Sequence, residues 1–181
     1  MTQRYGGVAI SLHWLVGAGL VGLFCFGLYM VDLPLSPTKL KYYSWHKWAG
    51  VTLFLLVLLR LTWRLTHAAP PLPAGMPGWQ KAAASAAHWV LYALMLAIPL
   101  SGWLMSSAKG IPTVWFGVLP LPDLVAKDVA LGDALQLVHK ILNYSLAGVV
   151  VLHAAAALKH HFVDKDDVLV RMLPAAGGKR E

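Results

Sequence analysis

The stretch LVHKILNYSLAGVVVLHAAAALK, residues 137–159, carries two histidines, His139 and His153, which are 14 positions apart. Between Lys140 and Lys159 it contains no charged side chain, which predicts a helix that crosses a lipid bilayer. Fourteen residues of α-helix rise roughly 21 Å and turn through nearly four whole turns. Both imidazoles therefore leave the same face of this helix, at two different depths.

The composition of the whole chain indicates an integral membrane protein. Of the 181 residues, 58% are hydrophobic and 13% are charged, and the mean hydropathy is +0.62, which is far from the averages of soluble domains. Charge-free intervals long enough, or nearly so, for a crossing run over 5–31, 82–108 and 141–158. A further crossing at 43–65 requires Lys47 and Arg60 to extend towards opposite headgroup layers.

These intervals predict one all-α domain over residues 1–181, a four-helix transmembrane bundle whose partner is the lipid bilayer and not a nucleic acid. The predicted helices are residues 8–31, 43–65, 82–107 and 136–159. With four crossings both termini fall on one side, which holds nine basic residues against six on the other. This difference predicts cytoplasmic termini in a bacterial inner membrane. The nine are Arg4, Arg60, Arg64, Lys81, Lys159, Lys165, Arg171, Lys179 and Arg180; the six are Lys39, Lys41, Lys47, Lys109, Lys127 and Lys140.

In this orientation, five histidines from four helices fall on two depths. His46 and His139 lie near the outer, periplasmic ends of their helices, and His13, His88 and His153 lie nearer the cytoplasm. An imidazole in hydrocarbon is costly unless its nitrogens find partners, and a haem iron is one such partner. The pattern therefore predicts two stacked haems, with an interhelical hydrogen bond as the alternative for any single histidine. His46 and His139 form the outer pair of haem ligands. At the inner depth three histidines compete for two ligand positions, and the 14-residue spacing on one helix assigns one of these positions to His153.

The single cysteine, Cys25, excludes several other cofactors. One thiol cannot form an intramolecular disulfide, hold an iron–sulfur cluster or provide the C-x-x-C-H site of covalent haem. Any haem is therefore expected to be a non-covalent b haem. Glycines that would let helices or a flat macrocycle approach closely, although helix packing alone explains them as well, are Gly17, Gly19, Gly27, Gly50, Gly102 and Gly148.

Five segments together carry a resemblance that covers essentially the whole chain. They are ISLHWL at 10–15, WHK at 45–47, AHWVLY at 87–92, LHAAAALKHHF at 152–162 and LVRMLP at 169–174. With these segments the chain resembles the four-helix, dihaem bacterial cytochrome b561 proteins, in particular the superoxide oxidase type. The resemblance implies that His13 and His153 hold the inner haem, and His46 and His139 the outer one. His88 binds no iron in this scheme and would contact a haem propionate or a quinone, or form an interhelical hydrogen bond.

The resemblance also implies an enzyme, a superoxide:ubiquinone oxidoreductase. Lys39, Lys41, Lys47 and Lys140 would then steer superoxide to the outer haem, although a solvated lysine-rich loop explains them too. Arg60 and Arg64 would pair with haem propionates, unless they only extend to lipid headgroups. His88, His160 and His161 are candidates for quinone binding or proton delivery, against ordinary interfacial residues.

Two other functions fit the sequence. In the first, the chain is a non-catalytic cytochrome b subunit that anchors a partner dehydrogenase or hydrogenase and passes electrons to or from it. In the second, the histidines form a transition-metal transport path, which the lack of carboxylates inside the predicted helices disfavours.

Overall fold

The computed structural model describes residues 4–174 and is almost entirely helical. Lys179 and Arg180, which the charge count includes, lie outside these residues. The long helices are α1 (Gly7–Val31), α2 (Pro37–Thr66), α3 (Gly78–Ala108) and α4 (Val129–Lys159). Shorter elements are β1 (Val114–Trp115), β2 (Leu119–Pro120), a π-helical turn at His160–Asp164 and a 3-10 turn at Val170–Met172. Each long helix is long and apolar enough to cross a membrane, so the predicted fold class is confirmed.

Helices α2 and α4 begin six and seven residues earlier than the apolar pattern predicts. The hydroxyl of Ser36 accepts a hydrogen bond from the Lys39 amide at 3.2 Å, and Pro37 occupies the first helical position. Before α4, the carboxylate of Asp128 accepts from the Leu131 amide at 3.1 Å. Both first turns are held by polar caps. The apolar pattern misses them because Lys39 and Lys41 interrupt the start of α2 and Asp133 interrupts the start of α4.

Helices that are adjacent in the chain pack together along the bundle. Helices α1 and α4 are less closely packed, and Phe24 and Tyr144 meet between them edge to face at 5.8 Å. The most buried large side chain is Val57, only 1% exposed. Most other apolar side chains face outward, as expected where lipid is the solvent. The buried core cluster consists of Val16, Leu53, Val57, Leu91, Tyr92, Met95 and Leu146.

A small hairpin lies against α2 at the outer end of the bundle. Strands β1 and β2 pair antiparallel around a turn in which Phe116 and Gly117 both have positive φ. The Trp48 indole donates to the Val114 carbonyl at 2.5 Å, and the Trp115 indole donates to the Thr52 hydroxyl at 3.2 Å. These bonds hold the α3–α4 connection over the outer end of α2.

At the inner end, the segment after α4 crosses the start of α1. The Trp14 indole donates to the Met172 carbonyl at 2.8 Å, and the Tyr5 amide donates to the Arg171 carbonyl at 3.3 Å. The Arg171 guanidinium also donates to the Pro71 carbonyl at 2.5 Å. Both described ends of the chain therefore lie together at one end of the bundle.

We expect Gly110→Ala to lower the free energy of unfolding by about 1 kcal/mol, since Gly110 has φ +65°, a conformation that costs an L residue roughly 1–2 kcal/mol. A Cβ there would also come within 2.9 Å of Lys127 Cδ. Thermal unfolding in detergent, followed by circular dichroism, measures the change. Gly75→Ala, at a glycine with nothing within 4 Å of an added Cβ, is the control. Equal unfolding midpoints for the two variants would contradict this account.

Candidate haem-binding site

Four residues from four helices meet near the inner end of the bundle, and we call His13, Arg60, His88 and His153 the inner level. The ring centroids of His13 and His153 lie 6.3 Å apart, and those of His88 and His153 lie 5.3 Å apart. The Arg60 guanidinium donates to His13 Nδ1 at 3.2 Å and lies 5.6 Å from the centre of the Tyr92 ring. Three imidazoles and one guanidinium thus share one depth.

Near the outer end, each of two histidines lies against a glycine of a neighbouring helix. A Cβ built on Gly27 would lie 3.4 Å from His46 Cε1, and one built on Gly102 would lie 3.1 Å from His139 Cε1. A Cβ at Gly102 would press on the His139 imidazole, and a Cβ at Gly27 would be in van der Waals contact with His46. We call Gly27, His46, Gly102 and His139 the outer level.

Each helix contributes one residue to each level, and on each helix the two residues are 14 positions apart. The pairs are His13 and Gly27 on α1, His46 and Arg60 on α2, His88 and Gly102 on α3, and His139 and His153 on α4. Because 14 residues make nearly four turns, both members of a pair lie on the same face of their helix. The buried core cluster lies between the levels, with Leu146 midway between the two histidines of α4.

The hydrogen bonds of His139 determine which of its nitrogens carries the proton. Its Nδ1 lies 3.1 Å from the Ile98 carbonyl oxygen and 2.9 Å from Ser101 Oγ. A carbonyl oxygen only accepts, so Nδ1 is the donor, and Nε2 keeps its lone pair. This is the form in which a metal-bound histidine is held by its surroundings.

His46 is buried differently, because its Nδ1 has no hydrogen-bond partner within the described residues. A buried polar atom without a partner costs roughly 1–3 kcal/mol. Such a cost is a common feature of sites whose function requires the group. The packing around His46 therefore holds this imidazole in place at a cost in stability.

A cavity of about 600 Å³ adjoins the inner level, between the start of α1 and the end of α2. Arg60 and Arg64, one helical turn apart, both line it, together with Trp63 and His67. Guanidinium groups donate hydrogen bonds and do not accept them. The cavity therefore suits a ligand with carboxylate, carbonyl or phosphate oxygens, as haem propionates, quinones and lipid headgroups have.

The four lysines that the sequence singles out all belong to the outer half of the bundle. Lys39 donates to the Val31 carbonyl at 2.9 Å, and Lys47 donates to the Ile111 carbonyl at 2.9 Å. Lys41 lies 4.9 Å from the Trp45 ring, and Lys140 is exposed. An ammonium group that binds a carbonyl keeps its charge, so all four add to a positive field at this end.

His160 and His161 lie in the π-helical turn that follows α4, beyond the inner level. His160 Nδ1 is 2.8 Å from Asp166 Oδ2 and 3.0 Å from Asp164 Oδ2. One imidazole and two carboxylates at this spacing could hold a metal ion, but the Lys159 ammonium already pairs with Asp164 at 2.7 Å. The turn is therefore a cluster of titratable groups at the inner surface.

Comparison with known proteins decides the family. A model described as "Prokaryotic cytochrome b561" matches residues 4–175. This chain belongs to the prokaryotic cytochrome b561 family. Its relatives include "Cytochrome b561 homolog 2" of Escherichia coli K12, 38% identical over 94% of this chain and 92% of the relative. "Cytochrome b561 homolog 1" of the same strain is 30% identical (95% and 98%), and "Probable superoxide oxidase CybB" of Yersinia pestis is 29% identical (98% and 100%).

Members of this family transfer electrons in membranes and bind b haems, and the residues of both levels fit that group. Two imidazoles that bind one metal ion from opposite sides, at about 2 Å per metal–nitrogen bond, place their ring centroids about 6 Å apart. The 6.3 Å between His13 and His153 fits this geometry, whereas the 5.3 Å between His88 and His153 is shorter. Because Arg60 donates to His13 Nδ1, binding of iron through His13 Nε2 would require Arg60 to release that nitrogen. At the outer level, the hydrogen bonds of His139 Nδ1 leave its Nε2 free for a metal, and the two glycines leave room for the imidazoles between the helices.

Reasoning from histidines alone misses the residues that orient them. Ile98 and Ser101 hold His139 from α3, and Gly27 and Gly102 lie against the outer imidazoles. A signal for the glycines is present in the sequence, because each lies 14 residues after a histidine on its own helix. The carbonyl of Ile98 leaves no such signal.

We expect Gly102→Val to reduce the haem bound per chain by about half, since its side chain would displace His139 while the inner level keeps its histidines. Gly148→Val on α4 is the control, because nothing lies within 4 Å of a Cβ at that glycine. A pyridine haemochrome assay on both purified variants measures the haem content. Full haem content in Gly102→Val would show that haem binding does not depend on the contact between Gly102 and His139.

Proposed function

We propose that this cytochrome b561 family member is a dihaem protein of the bacterial inner membrane that takes electrons from periplasmic superoxide and reduces ubiquinone. His13 and His153 would hold the inner haem, and His46 and His139 the outer one. The common 14-residue register of the four helices carries the proposal, because it stacks two histidine levels across one bundle. When bound, the two haems supply the one-electron chemistry that joins the two ends.

The orientation follows from the two ends of the chain. The Tyr5 amide donates to the Arg171 carbonyl, so both described ends lie on the same side. The excess of basic residues on that side favours the cytoplasm. The level formed by His46 and His139 would then lie towards the periplasm.

Three observations support superoxide as the donor. Superoxide is a small anion, and the outer end carries Lys39, Lys41, Lys47 and Lys140. A basic surface raises the local concentration and the arrival rate of such an anion without shape recognition. Secondly, these lysines surround the end to which His46 and His139 belong. Finally, a relative that is 29% identical along its full length is named a probable superoxide oxidase.

At the inner end the side chains suit a quinone. The arginines that line the cavity donate hydrogen bonds to carbonyl oxygens. Two superoxide anions each lose one electron to become O₂, and one ubiquinone takes up two electrons and two protons to become ubiquinol. His160 and His161 lie at the inner surface, where protons are available, and His160 already contacts two carboxylates. We assign to these histidines the delivery of the two protons.

We expect His139→Ala to lower the haem content from two to one per chain, because the outer level loses one of its imidazoles while His13 and His153 are unchanged. The visible spectrum and a pyridine haemochrome assay of the purified protein give the haem type and number. Leu137→Ala, at an exposed residue of the same helix outside both levels, should keep both haems.

Two results would contradict this assignment. Retention of two haems in His139→Ala would remove His139 from the ligand set. A wild-type protein without a Soret band would instead favour the metal-transport path. If the protein binds two haems, does not react with superoxide and purifies with a stoichiometric partner, it is the electron-transfer subunit of that partner.

We expect Lys140→Glu to slow the reduction of the haems by superoxide severalfold, because a surface charge steers the arriving anion. The difference from the wild type should shrink at high salt, since salt screens charges within about 8 Å already at physiological ionic strength. Lys81→Glu, the same charge change at the inner end, is the matched control. Stopped-flow absorbance at several ionic strengths measures both rates. Equal, salt-independent rates in the two variants would refute steering by the outer lysines.

A further inference from the structure

His88 is the inner-level histidine that the proposed haem ligation does not use. It lies half-buried on α3, with its ring almost perpendicular to that of His153, at an interplanar angle of 77°. Its Nδ1 is 2.6 Å from the carbonyl oxygen of Ala84, one helical turn earlier. His88 is therefore held by its own helix and presents its other nitrogen to the bundle.

The contact with Ala84 fixes the tautomer of His88. Since the carbonyl oxygen can only accept, Nδ1 carries the proton and Nε2 is left as an acceptor. A neutral His153 that binds iron through Nε2 carries its proton on Nδ1. A donor on His153 thus lies next to an imidazole whose free nitrogen accepts.

The two centroid distances at the inner level distinguish a hydrogen bond from shared ligation. Two imidazoles joined by an N–H···N hydrogen bond of about 3 Å have centroids about 5 Å apart. Two imidazoles on opposite sides of one metal ion have centroids about 6 Å apart. The 5.3 Å between His88 and His153 is within the range of such a hydrogen bond, which the edge-to-face rings do not form in this structure and which we expect to form when His153 binds a haem. The 6.3 Å between His13 and His153 fits ligation.

The outer level shows the same arrangement on the same pair of helices. There, the second histidine of α4, His139, donates its Nδ1 proton to the Ile98 carbonyl and contacts Ser101, both on α3. Helix α3 provides none of the four proposed haem ligands. It would instead orient both ligands of α4, His139 through a backbone carbonyl and His153 through an imidazole.

We propose that His88 is a positioning residue of the inner haem, which accepts a hydrogen bond from Nδ1–H of His153 and thereby lowers the reduction potential of that haem. A hydrogen bond from the second nitrogen makes a histidine ligand more electron-rich, which favours ferric over ferrous iron. The inference rests on the proposed function only in that His153 binds a haem.

The test uses purified full-length protein with two substitutions at one position. His88→Leu removes the acceptor, whereas His88→Gln keeps an oxygen that can accept. Both are made in the wild type and in His139→Ala, in which only the inner haem should remain. Trp89→Leu, at the exposed neighbour of His88 on α3, controls for the loss of a ring at this point of the helix.

In His88→Leu we expect unchanged haem content and a low-spin spectrum, with the ferric-to-ferrous ratio of the inner haem shifted about tenfold towards ferrous at a given ambient potential. This shift corresponds to about 59 mV for one electron. His88→Gln should shift the ratio less, and Trp89→Leu should not shift it. A redox titration followed by visible absorbance measures the ratio, and the outer haem serves as the internal reference in the wild-type background.

Three results would overturn the proposal. An unchanged inner-haem potential in His88→Leu would show that the contact has no electronic effect, and His88→Ala gives the same comparison if the leucine variant does not fold. Equal shifts in His88→Leu and His88→Gln would deny a role for the acceptor. Loss of the inner haem in both, together with its retention in His13→Ala, would make His88 a ligand. Absence of haem from the wild type would refute the proposed function itself.

Discussion

An imidazole placed inside a bilayer has no water to satisfy its two nitrogens, and the organisation of this protein follows from that constraint. The backbone of a membrane helix satisfies itself, but a buried histidine needs a carbonyl, a hydroxyl, a cation or a metal from another residue or ligand. His139 finds Ile98 and Ser101, and His88 finds Ala84. His46 Nδ1 finds no partner in the described part of the chain.

A second consequence concerns the spacing of the bundle. Every helix repeats its contribution after 14 residues, so the two levels stay parallel although the helices run in alternating directions. The space between them is filled by an apolar core that includes Val57 and Leu146. This core fixes the separation of the levels without adding polar groups to the membrane interior. Small residues at the outer level, Gly27 and Gly102, let the helices approach the imidazoles there.

The two ends of the bundle differ in chemistry. At the outer end, Lys39 and Lys47 tie connections to helices while they keep their charge, so the same residues hold the structure together and make its surface positive. At the inner end, the charged groups are arginines beside a cavity, and a strap formed by the residues after α4 crosses the start of α1. A positive open surface and a donor-lined cavity favour different ligands, a small anion and a larger molecule with carbonyl or carboxylate oxygens.

The sequence by itself determined the four membrane helices, because uninterrupted apolar length is a local property that the bilayer imposes on each segment. It also determined the two depths, since the spacing of His139 and His153 on one helix needs no knowledge of the neighbours. The starts of α2 and α4 were predicted too late, because the polar caps Ser36 and Asp128 do not follow the hydrophobic pattern. Only the tertiary structure decided which residues meet across the bundle. The order and rotation of the helices bring three pairs of side chains or backbone positions into contact: Arg60 with His13, His88 with His153, and Gly102 with His139. The sequence does not reveal these contacts, because helix rotation depends on packing between segments that are distant in the chain.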